Sequence, residues 1–261
     1  MFCAWRGLNE YGHKYWHKYW HKYWNGYWHE GSSLVNHAHP LLDQQLQQML
    51  PGSYVRRQHL AACPELQLWL VAPECINRPF SAEEQQRIAA YPAYWAVCWP
   101  GGLAMARYIL DHPQLVRNKA VLDLGCGSGL VAIAAARAGA KRVIACDLDQ
   151  QALAACRANA ELNQTRQNNN ELEFCTDFHR TDGIDIVLAA DLLYDHHNHT
   201  LLDEFMTISQ QVWLSESRAA DIQHPAFDHI GQHHYATEPD SGHPDPYATS
   251  LLYCSRPGAK Q

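Results

Sequence analysis

Between residues 120 and 214, short apolar runs alternate with segments of helical periodicity. Apolar runs of this length are typical of buried strands, and the alanine-rich or amphipathic stretches between them are typical of helices. The predicted strands are residues 120–124, 142–146, 172–175, 184–190 and 211–214, and the predicted helices are residues 130–138, 150–162 and 200–209. Strands that alternate with helices favour a parallel sheet covered on both faces, so the sequence predicts an α/β fold.

The sequence on either side of this region adds further elements. We expect helices at residues 40–50 and 103–110, a strand at 66–71, an aromatic turn at 94–102 and an edge strand at 249–254. Ser81 and Glu84 have the spacing of a capping box, which predicts a short helix that ends near Tyr91. We therefore expect an extension at residues 1–33, an accessory segment at 34–93 and the main α/β domain at 94–261.

The first 33 residues are unlike the rest of the chain. The tetrapeptide His-Lys-Tyr-Trp occurs three times in tandem at residues 13–24, and a degraded copy follows at 25–28. A tandem repeat of this kind does not specify a unique hydrophobic core, so we expect a disordered low-complexity extension. Two alternatives are a metal site at His17 and His21 and an aromatic stripe that contacts a membrane or a partner.

The composition bounds the class of protein. The chain has 261 residues, of which 47% are hydrophobic and 18% are charged, and its formal net charge is −7. This balance predicts a globular protein and argues mildly against a nucleic-acid partner. No apolar run approaches the roughly 20 residues that cross a bilayer, so no membrane partner is expected. The nine cysteines include no C-x-x-C pair, which favours reduced thiols in a cytoplasmic protein over a disulfide framework or a zinc site.

A glycine-rich turn follows the first strand of the predicted domain. Gly125, Gly127 and Gly129 give the pattern G-x-G-x-G, whereas a dinucleotide fingerprint needs glycine or alanine where this chain has Leu130. This difference from the dinucleotide pattern suits S-adenosylmethionine, which has an amino acid, a ribose and an adenine but no pyrophosphate. The glycines let the backbone pass close to the methionine part of that donor. Asp123, just before them, could orient the loop or help to bind the ammonium group.

Two further carboxylates follow the next two predicted strands. Asp147 lies at the end of the second strand, where a carboxylate can accept hydrogen bonds from both ribose hydroxyls. The alternative is that Asp147 caps the next helix, although Asp149 is better placed for that role. Asp177 follows the third strand and could reach the adenine amino group, or it could be a surface loop acid. Together with the glycine turn, these positions predict a methyltransferase.

The end of the fourth strand predicts the acceptor site. Ala190 is assigned to the donor site, and Asp191 and Tyr194 are assigned to the reaction itself. Enzymes that methylate amide or base nitrogens carry Asn or Asp followed by two prolines here, and this chain has none. A carboxylate can instead orient an ammonium group and stabilise the charge on the nitrogen, so an amine acceptor is favoured. The alternative is that Asp191 only caps the next helix.

Several segments resemble the electron-transfer flavoprotein β-subunit lysine methyltransferases, which are seven-β-strand protein lysine methyltransferases. The segments are residues 64–73 (PELQLWLVAP), 95–102 (WAVCWPGG), 104–111 (AMARYILD), 121–125 (VLDLG), 147–149 (DLD) and 193–195 (LYD). The similarity runs from about residue 60 to 214 and more weakly to 254. It departs at residues 214–218 (LSESR), where relatives carry a glycine and a proline, so we expect the substrate rim to differ.

The resemblance carries its own expectations. It implies a Rossmann-like, seven-stranded, mostly parallel sheet with helices on both faces, preceded by an N-terminal helical and strand extension. It implies that Trp99 lies against the S-adenosylmethionine donor, although Trp99 could also be plain core. It implies that Asp191 and Tyr194 border the lysine channel and that the substrate is the electron-transfer flavoprotein β subunit.

Other functions are compatible with parts of the pattern. A methyltransferase of another protein, such as a ribosomal one, or of a small amine would share every donor residue. A degenerate fold that binds without catalysis would be expected to have lost one of Gly125, Gly127, Asp147 or Asp191, and all four are present. The reaction needs no metal, and His196, His197 and His199 do not have a recognised ligand spacing, which favours a solvated loop.

Overall fold

The structure is a computed structural model that describes residues 39–165, 172–193, 198, 200–209, 211–218, 222–240 and 244–256. The predicted extension at 1–33 and the predicted channel residue Tyr194 lie outside these ranges. Within the described ranges, no helix has both the length and the apolar character needed to cross a membrane.

The described chain forms seven α-helices and nine strands. The helices are α1 (Pro40–Met49), α2 (Pro73–Ile76), α3 (Ala82–Ala90), α4 (Pro100–Asp111), α5 (Leu130–Arg137), α6 (Gln150–Leu162) and α7 (Leu201–Ile208). The strands are β1 (Val55–His59), β2 (Gln67–Val71), β3 (Ala120–Leu124), β4 (Arg142–Cys146), β5 (Leu172–Cys175), β6 (Ile186–Ala190), β7 (Val212–Glu216), β8 (Phe227–His234) and β9 (Thr249–Ser255). Short 3₁₀ turns lie at Tyr94–Ala96, Pro113–Leu115 and Phe178–Arg180.

Seven strands form one mixed sheet in the order β5-β4-β3-β6-β7-β9-β8. Strands β3 to β7 are parallel to one another, and β9 is antiparallel to both β7 and β8. The chain moves outward in one direction from β3 to β5 and then returns to the other side of β3 with β6. This reversal opens a crevice at the carboxyl ends of β3 and its neighbours. The predicted Rossmann-like, seven-stranded, mostly parallel sheet is confirmed.

Helices cover both faces of the sheet because alternate strand residues point to opposite sides. Val121 and Val143 pack with α4 and α5 on one face. Leu122 and Ile144 pack with α7 on the other face. The central strands are therefore mostly apolar, and all five residues of β3, Asp123 included, are buried.

The prediction of an edge strand at 249–254 is wrong in its position. The strand exists as β9, but it lies between β7 and β8, and β8 forms the edge. We did not predict β8 because its sequence, FDHIGQHH, has no apolar alternation, and a bulge between His229 and Gly231 shifts its register. Seven of the eight residues of β8 are exposed or half-buried, so its sequence can stay polar.

The N-terminal segment packs against the main domain. Hairpin β1–β2 lies beside α6, whose buried Asn159 accepts a hydrogen bond from the Trp69 amide at 2.6 Å. The Asn159 amide group also donates to the Ser128 carbonyl at 2.8 Å, so one side chain joins the hairpin to the glycine turn. Helix α3 begins with the predicted capping box, in which Ser81 and Glu84 bond to each other's backbone amides. The boundary between accessory segment and domain at residue 93 stays a prediction.

Candidate active site

The glycine turn joins the carboxyl end of β3 to the start of α5. Gly125, Gly127 and Gly129 all have positive φ angles of 67°, 50° and 83°. The amides of Gly125 and Cys126 both donate to the Cys146 carbonyl, at 2.8 and 3.1 Å, which holds the turn against the end of β4. A Cβ atom on Gly127 would meet nothing closer than 3.9 Å, so the turn leaves open space at its middle glycine.

Asp123 lies in β3, two residues before this turn. Its side chain is 2% exposed, and its carboxylate accepts a hydrogen bond from the Ala132 amide at 2.9 Å, in the first turn of α5. Burial raises the pKa of Asp123 to about 8, against the opposing effect of that hydrogen bond. This bond ties Asp123 to the helix after the turn, and both of its predicted roles, orienting the loop and binding the ammonium group, stay predictions.

Asp147 lies beside the glycine turn at the end of β4. One carboxylate oxygen accepts from the Gly127 amide at 2.9 Å and the other accepts from the Asp149 amide at 3.0 Å. A carboxylate has about four lone-pair positions, so each oxygen keeps one for a further donor. Asp149 caps α6 by accepting from the Gln151 amide, so Asp147 is not the cap of that helix. Burial raises the pKa of Asp147 to about 6.

Asp177 and Ala190 lie at the ends of β5 and β6. Asp177 accepts from the His179 amide at 3.0 Å and pairs with Arg180 at 3.2 Å, so it caps the 3₁₀ turn that follows β5. Ala190 is the last residue of β6, where its neighbour in the sheet is Ser215 of β7. The assignment of both residues to donor binding stays a prediction.

Trp99 stands at the N-terminus of α4 and is half-buried. Its indole Nε1–H donates to the Tyr94 carbonyl at 3.1 Å, which fixes the plane of the ring. The Arg218 guanidinium lies over the ring at 4.1 Å from its centroid. Trp99 is thus held at the rim of the crevice, and its predicted contact with the donor stays a prediction.

Asp191 follows β6 and is the most constrained carboxylate of the site. Its φ angle of 52° lies in the left-handed region, which few residues other than glycine adopt. Its Oδ1 accepts from the amide and the hydroxyl of Ser217, at 2.8 and 2.6 Å, and its Oδ2 accepts from the Gly101 amide at 2.7 Å. Three donors leave one lone-pair position, on Oδ2. Burial raises the pKa of Asp191, whereas these donors and the Arg218 charge lower it.

The sequence prediction missed Glu216, the last residue of β7. Its side chain is 1% exposed and accepts hydrogen bonds from the amides of Leu192 and Leu193 at 3.0 to 3.2 Å. Burial and the nearby Asp191 charge raise its pKa well above the usual value. Glu216 therefore fixes the backbone that follows Asp191, and the Leu192 side chain in turn lies against Gly125.

Gly101, in the first turn of α4, was also missed. A Cβ atom there would lie 2.5 Å from the Ser215 carbonyl oxygen and 2.6 Å from Oδ2 of Asp191. The neighbouring Gly102 has open space at the same position. The absence of a side chain at Gly101 thus allows α4 to bring its amide to Asp191.

We expect Gly101→Ala to displace the Asp191 carboxylate. The substitution should lower the free energy of unfolding by about 1–3 kcal/mol, because a rigid backbone oxygen cannot move aside. Gly102→Ala is the matched control, and it should leave stability unchanged or raise it by up to about 1 kcal/mol. Urea denaturation measures both, and equal effects of the two substitutions would contradict the close packing at Gly101.

The histidines at 196, 197 and 199 lie outside the described residues, as does Tyr194. Among the residues that the structure describes, no group of three histidine, cysteine or acidic side chains is arranged to hold a metal ion. Eight cysteines fall within the described ranges, and all eight are free thiols.

Comparison with known proteins gives consistent matches. A family model described as "Ribosomal protein L11 methyltransferase (PrmA)" matches residues 104–203. The electron transfer flavoprotein beta subunit lysine methyltransferase of Homo sapiens is 37% identical over 178 residues, which cover 66% of this chain and 64% of the human protein. The Xenopus laevis protein of the same name is 35% identical, and the match covers 64% of this chain and 69% of the frog protein. The Danio rerio protein of the same name is 42% identical, and the match covers 51% of this chain and 50% of the fish protein. The chain thus spans about half to two thirds of these relatives.

Proposed function

Because this chain belongs to the electron transfer flavoprotein beta subunit lysine methyltransferase family, we propose that it transfers a methyl group from S-adenosylmethionine to a lysine side chain of a protein. The proposed protein substrate is the electron-transfer flavoprotein β subunit, after the name of the human and frog relatives. The observation that carries the proposal is the Asp191 carboxylate, which follows β6 and has one lone-pair position left for a further donor. The next residue, Leu192, lies against the glycine turn, so this carboxylate is close to the proposed donor site.

The residues around the glycine turn fit the proposed donor. Open space beside Gly127 leaves room for a ligand next to the backbone. Asp147 keeps one acceptor position on each oxygen, which is what two vicinal ribose hydroxyls require. S-adenosylmethionine supplies an electrophilic methyl group on a positively charged sulfur. Asp177 at the end of β5 is proposed to reach the adenine, and Trp99 and Ala190 are proposed to lie beside the sulfur end.

The chain's own residues would prepare the lysine amine. A free lysine has a pKa of about 10.4, so the neutral amine must be produced in the site. Desolvation in an aromatic channel lowers that pKa, whereas the nearby Asp191 carboxylate raises it, so the lysine would enter as an ammonium ion and lose its proton to water before the transfer. Asp191, held by Gly101 and Ser217, would accept one N–H of the amine on Oδ2 and aim the nitrogen lone pair at the methyl group. Its charge would also stabilise the positive charge that the nitrogen gains. Tyr194 is proposed to wall this channel.

We expect donor affinity to fall as the pH falls through about 6. Asp147 is ionised above its raised pKa of about 6 and accepts from both hydroxyls there. Below that pH it gains a proton and loses acceptor capacity, so the dissociation constant should rise about tenfold between pH 7 and pH 5. Isothermal titration calorimetry across this range measures the change. In Asp147→Asn the affinity should be weaker throughout and flat with pH. A variant that kept the full pH dependence would rule out Asp147.

A second candidate substrate is another protein, such as a ribosomal one. The observation in its favour is the match of residues 104–203 to the ribosomal L11 methyltransferase model. A small amine shares the same site chemistry. The two alternatives and the main proposal are separated by offering labelled donor with the flavoprotein β subunit, with ribosomal protein L11 or with free lysine in parallel. The proposal expects saturable label on the flavoprotein subunit. Preferential label on L11 or on free lysine would replace it with the corresponding alternative.

The proposed compartment is the cytoplasm. The eight described cysteines are unpaired thiols, six of them buried. Thiols persist in this form where the surroundings are reducing.

A further inference from the structure

The Arg218 guanidinium lies between two aromatic rings at the rim of the crevice. Its central carbon is 4.1 Å from the centroid of the Trp99 ring and 5.0 Å from that of the Tyr247 ring. Both distances are within the range in which a cation is attracted to the face of an aromatic ring. Trp99 and Tyr247, here called the aromatic pair, come from segments far apart in the sequence, and the fold brings them together on one cation.

Other residues hold the Trp99 ring and the Tyr247 backbone in place. Trp99 donates through Nε1–H to the Tyr94 carbonyl. Tyr247 follows Asp245, whose carboxylate accepts from the Tyr247 amide at 2.9 Å and from the amide and hydroxyl of Thr237 at 2.8 and 2.7 Å. These bonds involve no atom of Arg218. The Trp99 ring and the Tyr247 backbone should therefore keep their positions when another cation takes the place of Arg218.

Asp191 supplies the negative charge next to the aromatic pair. Ser217, the residue before Arg218, and Gly101, two residues after Trp99, both donate hydrogen bonds to the Asp191 carboxylate. The carboxylate itself is held by Gly101 and Ser217, so its position is set by groups other than Arg218. Two ring faces and a carboxylate are the elements with which proteins bind ammonium cations, including methylated lysines.

We propose that Trp99, Tyr247 and Asp191 form the binding site for the substrate's ammonium side chain, and that Arg218 occupies this site until substrate displaces it. The assignment of that side chain to lysine rests on the proposed function. The cation-binding site itself rests on the geometry of the three residues and Arg218. Arg218 is then a specificity-determining residue, since only a side chain that carries a cation of its own can replace it favourably.

Arg218→Met tests the proposal because methionine keeps much of the apolar stem and removes the charge. We expect the variant to bind N-acetyl-Nε-trimethyllysine amide about three- to tenfold more tightly than the wild type, as judged by NMR titration. Arg218→Lys is the matched control. It keeps a cation in the site, so its affinity for the trimethyllysine compound should rise little. Combining Arg218→Met with Tyr247→Leu should remove the gain. Thermal melting confirms that each variant is folded.

Steady-state kinetics gives a second readout. With saturating donor, Arg218→Met should lower KM for the protein substrate about three- to tenfold with little change in kcat, and added guanidinium chloride at low millimolar concentration should inhibit it competitively. The opposite pattern, a lower kcat that guanidinium restores, would mean that Arg218 positions Asp191 and would overturn the proposal.

The two hypotheses can fail separately. Tighter cation binding by Arg218→Met without methylation of any lysine would support the cation-binding site and contradict the proposed function. Lysine methylation by the wild type, with no change in cation binding by Arg218→Met, would support the proposed function and overturn this inference.

Discussion

Asp191→Asn should lower kcat by about 10²- to 10³-fold and leave the affinity for S-adenosylmethionine within about threefold of the wild type. In the wild type, three donors from Gly101 and Ser217 converge on the two carboxylate oxygens. An amide group in the same place must turn its own N–H groups toward one of them, so it loses both the charge and the alignment. Asparagine tolerates the left-handed backbone of residue 191 well, so the fold should be kept.

Single-turnover methyl transfer and calorimetric donor titration measure the two quantities separately. Ser217→Ala is the matched control, because it removes one hydroxyl donor and keeps the charge of Asp191. Its kcat should fall by less than about tenfold, as expected for one hydrogen bond. Loss of donor binding together with turnover in Asp191→Asn, or no loss of either, would show that Asp191 is not the acceptor-site carboxylate.

Gly129→Ala should lower the free energy of unfolding by about 3 kcal/mol, which combines a backbone cost and a packing cost. The φ angle of 83° is unfavourable for alanine, and the added Cβ would lie 2.4 Å from the Cys156 Sγ atom and 3.0 Å from the Cys156 Cα atom. The helix that carries Cys156 is held by the core and cannot move aside. Guanidinium denaturation measures the loss.

Gly127→Ala is the matched control for this prediction. Its φ angle of 50° is also in the left-handed region, but its Cβ would meet nothing closer than the Gly125 carbonyl oxygen at 3.9 Å. It should lower the free energy of unfolding by about 1–2 kcal/mol, because only the backbone cost applies. In a Cys156→Ala background, the cost of Gly129→Ala should shrink because the 2.4 Å contact is gone. If Gly127→Ala and Gly129→Ala proved equally destabilising, the packing argument would be wrong.

The centre of the sheet was predictable because its strands are buried on both faces. Strands β3 and β4 have the bounds that the sequence predicts, because a strand covered by helices on both faces is mostly apolar. Helix α6 also has its predicted bounds, marked by the cap at Asp149. The resemblance to the flavoprotein β-subunit lysine methyltransferases, stated on short motifs, is confirmed by the relatives of that name.

The rest of the site depends on contacts that no local pattern records. Glu216 is separated by more than 20 residues from Leu192, and Gly101 by 90 from Asp191. A glycine in a helix and a glutamate at the end of a strand have no distinctive sequence signal. Strand β8 was missed for a different reason, because most of its side chains are exposed or half-buried and its composition is polar. Side chains after parallel strands can thus be located from sequence, but the residues that hold them cannot.

The most direct test of the account is the position of the transferred methyl group. The purified protein is incubated with methyl-labelled S-adenosylmethionine and the electron-transfer flavoprotein, and the β subunit is offered in parallel as single Lys→Arg variants. The account predicts label on a lysine nitrogen of the β subunit, lost in one of these variants and absent when Asp191→Asn replaces the wild-type enzyme. Label on another atom or on no lysine of that subunit, from a protein that still binds the donor, would contradict it.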